Sequence, residues 1–146
     1  MSSYVSAELR RHVAERANFL CEYCLIHEVD TFYGCHVDHI ISEKHGGLTI
    51  LDNLAYACAI CNQAKGSDIA SLAADLNALT RFFNPRTDRW SDHFRIASLI
   101  IVPSTPIGEA TARIFGFNAS DRVIERRLLH RFGRYPSPEA SALIKQ

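Results

Sequence analysis

The chain has 146 residues, 47% of them hydrophobic and 22% charged, and its 16 basic residues balance its 16 acidic ones. This length suits one ordinary domain, which would bury roughly two-thirds of the surface of its unfolded chain. The composition is that of a soluble globular protein and excludes a disordered one. The zero net charge argues against a strongly cationic DNA coat, although a local basic face is sufficient to bind phosphate.

Neither a membrane-spanning segment nor an export signal is recognisable in the sequence. No apolar run approaches the ~18 residues that a membrane span requires. The first five residues lack both the basic start and the apolar stretch of a signal peptide. We therefore expect a cytoplasmic protein without a membrane partner. Thiols stay reduced in the cytoplasm, where paired cysteines bind metal more often than they bind each other.

The first predicted element is an amphipathic helix over residues 6–17. Leu9, Val13 and Ala17 recur at four-residue steps, and charged residues occupy the other faces.

A strand, a loop, a second strand and a helix are predicted next. Residues 35–41 alternate as a strand does, and residues 42–52 contain a glycine pair that indicates a loop. A short strand over residues 53–56 precedes a helix over residues 59–65, which Gly66 is expected to end. This order predicts a compact ββα unit.

The C-terminal half is predicted to mix helices and strands. Residues 67–84 contain three leucines at a spacing that fits a helical face, although nothing caps such a helix firmly. Strands are expected within residues 94–102. A capping hydroxyl and a first-turn proline predict a helix from about Thr105 to Phe115. A last helix over residues 118–132 should end at Gly133 and turn four apolar side chains inward; they are Val123, Ile124, Leu128 and Leu129.

The last helix also carries arginines at helical spacing. Arg127, Arg131 and Arg134 are four and three residues apart, which fits either a basic stripe against the DNA backbone or a solvated helix face. The chain has no linker, repeat or low-complexity stretch. One α+β domain and a zinc-held core with an attached C-terminal subdomain fit equally well.

Two cysteine pairs are the most informative motif. Cys21 and Cys24 form one C-x-x-C knuckle, and Cys58 and Cys61 form the other. Four such thiolates can close a tetrahedral structural zinc site, which would contribute on the order of 10 kcal/mol to folding. The spacer is longer than the ~15–20 residues of a zinc ribbon. Disulfides and unrelated buried thiols are the alternatives, and Cys35 is interpreted as a buried reduced thiol.

A closed zinc site has no open coordination position, so any chemistry must come from the residues between and beside the knuckles. Those residues include an Asp-His pair and two asparagines, a set that suits metal-assisted cleavage of a phosphodiester bond.

The chain resembles the HNH endonuclease family, in its zinc-stapled branch, over roughly residues 5–68. The resemblance rests on the motifs C-x-x-C, HVDHII, GG, NL and C-x-x-C-N-x-x-K-G in that order. It implies an α+β protein in which a ββα-metal (HNH) core is held by a four-cysteine structural zinc. An N-terminal helix would precede this core, and a C-terminal α/β extension, residues 69–146, would pack on it. It also implies hydrolysis of DNA by means of a single divalent metal ion.

The resemblance assigns roles to four residues. His39 matches the general base that takes a proton from the attacking water, and Asp38 matches a metal ligand. Asn53 matches the asparagine that holds the loop and the His39 ring. Asn62 occupies the place of the family's final histidine, a metal ligand; an amide oxygen there favours magnesium or manganese. Adjacent strand residues point to opposite faces, so Asp38 and His39 can act together only if the strand twists or ends there.

Three further residues are weaker candidates. Lys65, one helical turn after Asn62, is a candidate for phosphate contact, with a solvated helix face as the alternative. His45, beside the glycine pair, is also a candidate for DNA contact. His36 lies two residues before Asp38 and is a candidate third neighbour of the metal.

The leading hypothesis is a metal-dependent DNA endonuclease. The alternative is a catalytically silent, zinc-held module that binds nucleic acid or protein; such a module has no need of Asp38, His39, Asn53 and Asn62. A zinc-ribbon interaction protein would have the usual short spacer and is disfavoured.

Overall fold

The N-terminal helix is close to its predicted position. In the computed structural model, which describes residues 4–146, helix α1 comprises Ala7–Arg16. Its N-cap is Ser6, whose hydroxyl oxygen accepts the Leu9 N–H at 3.1 Å. Val13 and Ala14 are buried on the inner face. The first three residues, which are part of the five N-terminal residues that lack signal-peptide features, lie outside the described range.

The predicted ββα unit is present. Strand β1 (Cys35–His39) pairs antiparallel with β2 (Leu54–Cys58), and α2 (Ala59–Lys65) follows directly. Every residue of β2 is buried, because the strand lies inside the core. Gly66 ends α2 at a φ of +54°, a conformation that side-chain-bearing residues rarely adopt, and its N–H donates to the Asn62 carbonyl at 3.0 Å.

The first element of the C-terminal half differs from the prediction. The leucines within residues 67–84 do not form a helix; β3 (Ala70–Leu72) and β4 (Leu79–Arg81) form a hairpin. Leu72 and Leu79 are partners across this hairpin. Leu76 adopts a φ of +59° in the connection, which is incompatible with a right-handed helix.

The strands predicted within residues 94–102 are confirmed. Strands β5 (Phe94–Ala97) and β6 (Ile100–Pro103) are antiparallel, and the two residues that join them have positive φ angles. A short helix that the sequence did not predict, α3 (Trp90–His93), precedes β5.

Three helices complete the chain. Helix α4 (Pro106–Phe115) begins as predicted, because the Thr105 hydroxyl accepts the Gly108 N–H at 3.0 Å. Helix α5 (Ser120–Arg131) follows, and α6 (Pro138–Ile144) was not predicted.

The predicted inner face of α5 is partly wrong. Val123 is buried, but Ile124 and Leu128 are at least half exposed, and the side chains of Arg122 and Arg126 are buried instead.

Residues from both halves of the chain share one hydrophobic core. The ring of Tyr23 in the first knuckle lies 4.8 Å from that of Phe115, measured between centroids. The indole of Trp90 donates to the Tyr23 carbonyl at 2.9 Å, and the Tyr135 hydroxyl donates to the Cys24 carbonyl at 2.8 Å. Within residues 4–146, none of the helices is both long enough and apolar enough to cross a bilayer.

Candidate functional site

The four knuckle cysteines meet in one buried cluster. The first pair follows α1 in a tight turn, in which the Leu25 N–H donates to the Cys21 carbonyl at 2.9 Å. The second pair lies where β2 ends and α2 begins, so that Cys58 caps the helix and Cys61 lies in its first turn.

The geometry of this cluster fits a tetrahedral zinc ion. The four Sγ atoms all lie within 4.8 Å of one another, and those of Cys24 and Cys58 are 3.8 Å apart. Zn–S bonds of about 2.3 Å place tetrahedral sulfur ligands about 3.8 Å apart. All five cysteines of the described chain are free thiols, so the disulfide alternative is not realised. The sulfur donors would therefore hold a structural zinc with no open position.

Arg122 reaches this cluster from α5, and the sequence analysis missed it. Its Nη2 lies 3.0 Å from the Cys24 Sγ and 3.8 Å from the Cys58 Sγ, and its Nη1 lies 3.8 Å from the Cys61 Sγ. Hydrogen bonds from the other three cysteines hold the pKa of Cys24 well below its usual range, and the Arg122 charge adds to this effect. No sequence motif predicts this contact, because an arginine on an amphipathic helix is normally assigned to the solvent-facing side.

A second group of polar side chains lines an open cleft of about 300 Å³. Asp38, His39 and Asn62 all line it, together with Glu43 and Lys44 from the loop after β1. Strand β1 ends at His39, so two adjacent residues contribute to the same cleft. His36 and His45 are exposed and are not among the lining residues, so the structure does not bring them into the cleft with Asp38.

The His39 ring is contacted by the loop that follows it. Its Nε2 lies 2.9 Å from the Thr49 Oγ1 and 3.7 Å from the Glu43 Oε1. The Thr49 hydroxyl in turn donates to the Glu43 Oε1 at 3.5 Å. Neither Thr49 nor Glu43 was predicted, because the path of this loop cannot be derived from residue spacing.

Asn53 holds the two ends of this loop together. Its Oδ1 accepts the Ile41 N–H, and its Nδ2 donates to the carbonyls of Ile41 and Leu48, all at 2.9 Å. A Cβ at Gly47 would lie 1.7 Å from the Ile41 carbonyl oxygen, so the loop can close only around a glycine. The expected loop-holding contacts are therefore present, whereas the direct contact to the His39 ring comes from Thr49.

Asp38 is paired with Lys65 beneath the cleft. The Asp38 Oδ1 lies 3.0 Å from the Lys65 Nζ, and its Oδ2 accepts the Tyr23 hydroxyl at 2.7 Å. Lys65 also donates to the His39 carbonyl at 2.8 Å. Burial raises the pKa of Asp38, and the Lys65 charge opposes that shift.

The expectation that Lys65 contacts a phosphate does not agree with this placement. Its side chain is 2% exposed, because it lies on the same face of α2 as Cys61 and that face packs inward. Lys44, which lines the cleft and is exposed, is the basic residue that the structure offers to a phosphate there.

The donor chemistry of the cleft fits a hard divalent cation. Asp38 and Asn62 offer a carboxylate oxygen and an amide oxygen, and each carboxylate oxygen can accept more than one interaction. Across residues 4–146, the cysteine cluster is the only group of three or more His, Cys, Asp or Glu side chains close enough to hold an ion. A cation in the cleft would therefore keep several water ligands, as magnesium usually does.

Residues 21–68 match the family model described as HNH endonuclease. This segment, about a third of the chain, begins at the first zinc-knuckle cysteine and ends just beyond α2. The resemblance found in the motifs is thereby confirmed: residues 21–68 form an HNH domain within an α+β protein, and its four-cysteine cluster fits a structural zinc. No curated protein and no solved structure matches the chain. An HNH domain indicates a nuclease or a nucleic-acid-binding protein.

Proposed function

We propose that the protein is a metal-dependent endonuclease that hydrolyses DNA phosphodiester bonds. The observation that carries this proposal is that Asp38, His39 and Asn62 line one open cleft within the segment that matches the HNH family. By the resemblance to the family, His39 is the general base, and Asp38 and Asn62 supply the oxygen ligands of the metal.

His39 is the proposed general base, and the loop contacts suggest which nitrogen acts. If the Thr49 hydroxyl donates to Glu43, its oxygen can accept from the Nε2–H of His39. We propose the tautomer that follows from this arrangement, in which Nδ1 keeps the lone pair. His39 would then take the proton of the attacking water at Nδ1.

Asp38 and Asn62 are the proposed ligands of a catalytic magnesium or manganese ion. When bound, such an ion stabilises the charge that develops on the scissile phosphate. Asn53 keeps the loop closed, and Thr49 thereby stays in reach of the His39 ring. The exposed Lys44 and His45 are proposed to contact the DNA backbone beside the cleft.

A plasmid-nicking assay tests this function. The wild-type protein should convert supercoiled plasmid to nicked or linear DNA with magnesium or manganese and should stop when EDTA is added. His39→Ala should lower the rate by ~100- to 10,000-fold, the range typical of a lost general base. His36→Ala is the matched control, because His36 lies on the same strand but is exposed away from the cleft, and it should cut as the wild type does.

Two outcomes would reject the endonuclease. Equal cutting by His39→Ala and the wild type would remove the proposed base. Binding of duplex DNA without cutting in either metal would favour the catalytically silent binding module.

A further inference from the structure

A buried arginine lies against the zinc cysteines and comes from outside the HNH match. Arg122 lies in the first turn of α5, 61 residues after Cys61 and 98 residues after Cys24. It is 3% exposed, and its guanidinium lies within 3.8 Å of three of the four sulfur atoms.

The burial of this guanidinium requires compensating partners within the protein. Removing a charge from water is strongly unfavourable unless hydrogen-bond acceptors or an opposite charge compensate it. Glu125 offers an Oε1 at 3.7 Å, but Nε of Arg122 has no hydrogen-bond partner within residues 4–146. By contrast, the guanidinium lies within 3.8 Å of the sulfur atoms of Cys24, Cys58 and Cys61. The thiolate cluster is therefore the main partner of Arg122.

A loaded zinc centre carries a net negative charge that such a partner would stabilise. Four thiolates and one Zn²⁺ leave about two negative charges in a buried site. One guanidinium offsets about half of that charge, and its N–H groups form charge-assisted hydrogen bonds to sulfur. Groups that donate hydrogen bonds to metal ligands commonly change metal affinity 10- to 100-fold.

Another arginine on the same helix provides a comparison. Arg126, one turn further along α5, is 2% exposed, but it donates to the Leu99 carbonyl at 2.8 Å and to the Asn118 Oδ1 at 3.0 Å. No sulfur atom is among these partners. A buried arginine on α5 can therefore be purely structural, and what distinguishes Arg122 is its contact with the cysteines.

We propose that Arg122 is the counter-ion of the zinc centre, so that the C-terminal half of the chain controls how firmly the HNH domain holds its zinc. Docking of α5 places the guanidinium on the thiolates, and the loss of that contact leaves their charge uncompensated. This proposal rests on the zinc site and is independent of the cleavage activity.

Zinc retention and cobalt spectroscopy test this role on the full chain. Zinc-loaded Arg122→Gln should lose zinc to a chromogenic chelator 10- to 100-fold more readily than the wild type. Arg126→Gln removes an equally buried arginine from the same helix and should retain zinc within about twofold. With Co²⁺ in place of zinc, the sulfur-to-cobalt charge-transfer bands of Arg122→Gln should shift to lower energy, because its sulfurs have lost N–H donors.

The cobalt spectrum separates a zinc role from a structural one, since a loss of stability alone does not move these bands. Unchanged bands in Arg122→Gln, or zinc loss equal to that of Arg126→Gln, would overturn the proposal. If Arg122→Gln does not fold, Arg122→Lys keeps the charge but loses the planar fork. Its bands should then lie away from the wild-type position, and wild-type bands in this variant would overturn the proposal equally.

Discussion

Lys65 and Asp38 form a buried ion pair beneath the cleft, with the ammonium 3.0 Å from Oδ1 and both side chains at most 4% exposed. Lys65 also donates to the His39 carbonyl, so the same ammonium joins α2 to the end of β1. An ion pair of this kind adds little net stability, but breaking it leaves an uncompensated charge in the interior. Lys65 therefore fixes the backbone of the proposed catalytic residues.

The first prediction concerns the stability of this pair. Lys65→Met should lower the free energy of unfolding by about 3–5 kcal/mol, because the Asp38 carboxylate is left buried without its cation. Asp38→Asn combined with Lys65→Met should recover part of that loss, since the unpaired charge is gone. Denaturant unfolding of the zinc-loaded protein at neutral pH measures both changes. A loss below about 1 kcal/mol for Lys65→Met would show that the pair is not important for stability.

The second prediction concerns the glycine pair in the loop after β1. Gly47→Ala should displace the loop, because its Cβ would lie 1.7 Å from the Ile41 carbonyl oxygen and 2.8 Å from the Asn53 amide nitrogen. We expect slower DNA cleavage and faster amide hydrogen exchange over residues 42–52. Gly46→Ala is the control, because its Cβ has no atom within 4 Å and its φ of +88° costs only about 1–2 kcal/mol. Equal exchange in both variants would contradict this explanation.

The HNH domain was predictable because its signals are local or lie at fixed spacing. The alternation in β1 and Gly66 at the end of α2 gave bounds close to those observed. Cysteine spacing predicted the metal cluster because a tetrahedral site constrains which residues can meet.

The remaining features depend on partners that are distant in sequence. Lys65 was expected to contact a phosphate or to face solvent, and no role was assigned to Arg122, because charged side chains normally stay at the surface. Each is buried against acidic groups that remote residues supply: the cysteine cluster for Arg122 and Asp38 for Lys65. The leucine spacing in residues 67–84 was equally compatible with strands, and the turn at Leu76 decided between the two.

The third prediction concerns the structural metal. Protein purified without added metal should contain about one tightly held zinc per chain. Cys58→Ser should be insoluble or unfolded, because three thiolates and a hydroxyl hold zinc poorly. Cys35→Ala is the matched control. Cys35 is also buried and lies opposite Cys58 in the register of β1 and β2, but it is not part of the cluster. A folded Cys58→Ser protein with the zinc content of Cys35→Ala would contradict the assignment.

The fourth prediction concerns DNA binding. Affinity for duplex DNA should fall steeply with salt concentration, because contacts to phosphate release counterions. Lys44→Gln should reduce the salt dependence by about one released ion, since Lys44 is exposed at the cleft. Lys145→Gln removes the same charge from an exposed site at the end of α6 and should leave the slope unchanged. Affinity that is insensitive to salt would instead favour a protein-binding module.

The last prediction distinguishes the two asparagines through the metal dependence of cleavage. Asn62→Ala should raise the magnesium or manganese concentration needed for half-maximal rate, because the cleft loses one oxygen ligand. Asn62→His should retain activity with an altered metal preference, since imidazole is a softer ligand. Asn53→Ala should lower the rate with little change in metal dependence. The three hydrogen bonds of Asn53 hold the loop, and its side chain is not among the residues that line the cleft. All three variants should keep their zinc. If Asn62→Ala changed neither the rate nor the metal requirement while His39→Ala abolished cutting, Asn62 would not be a ligand, and Asp38 would have to hold the ion with another partner.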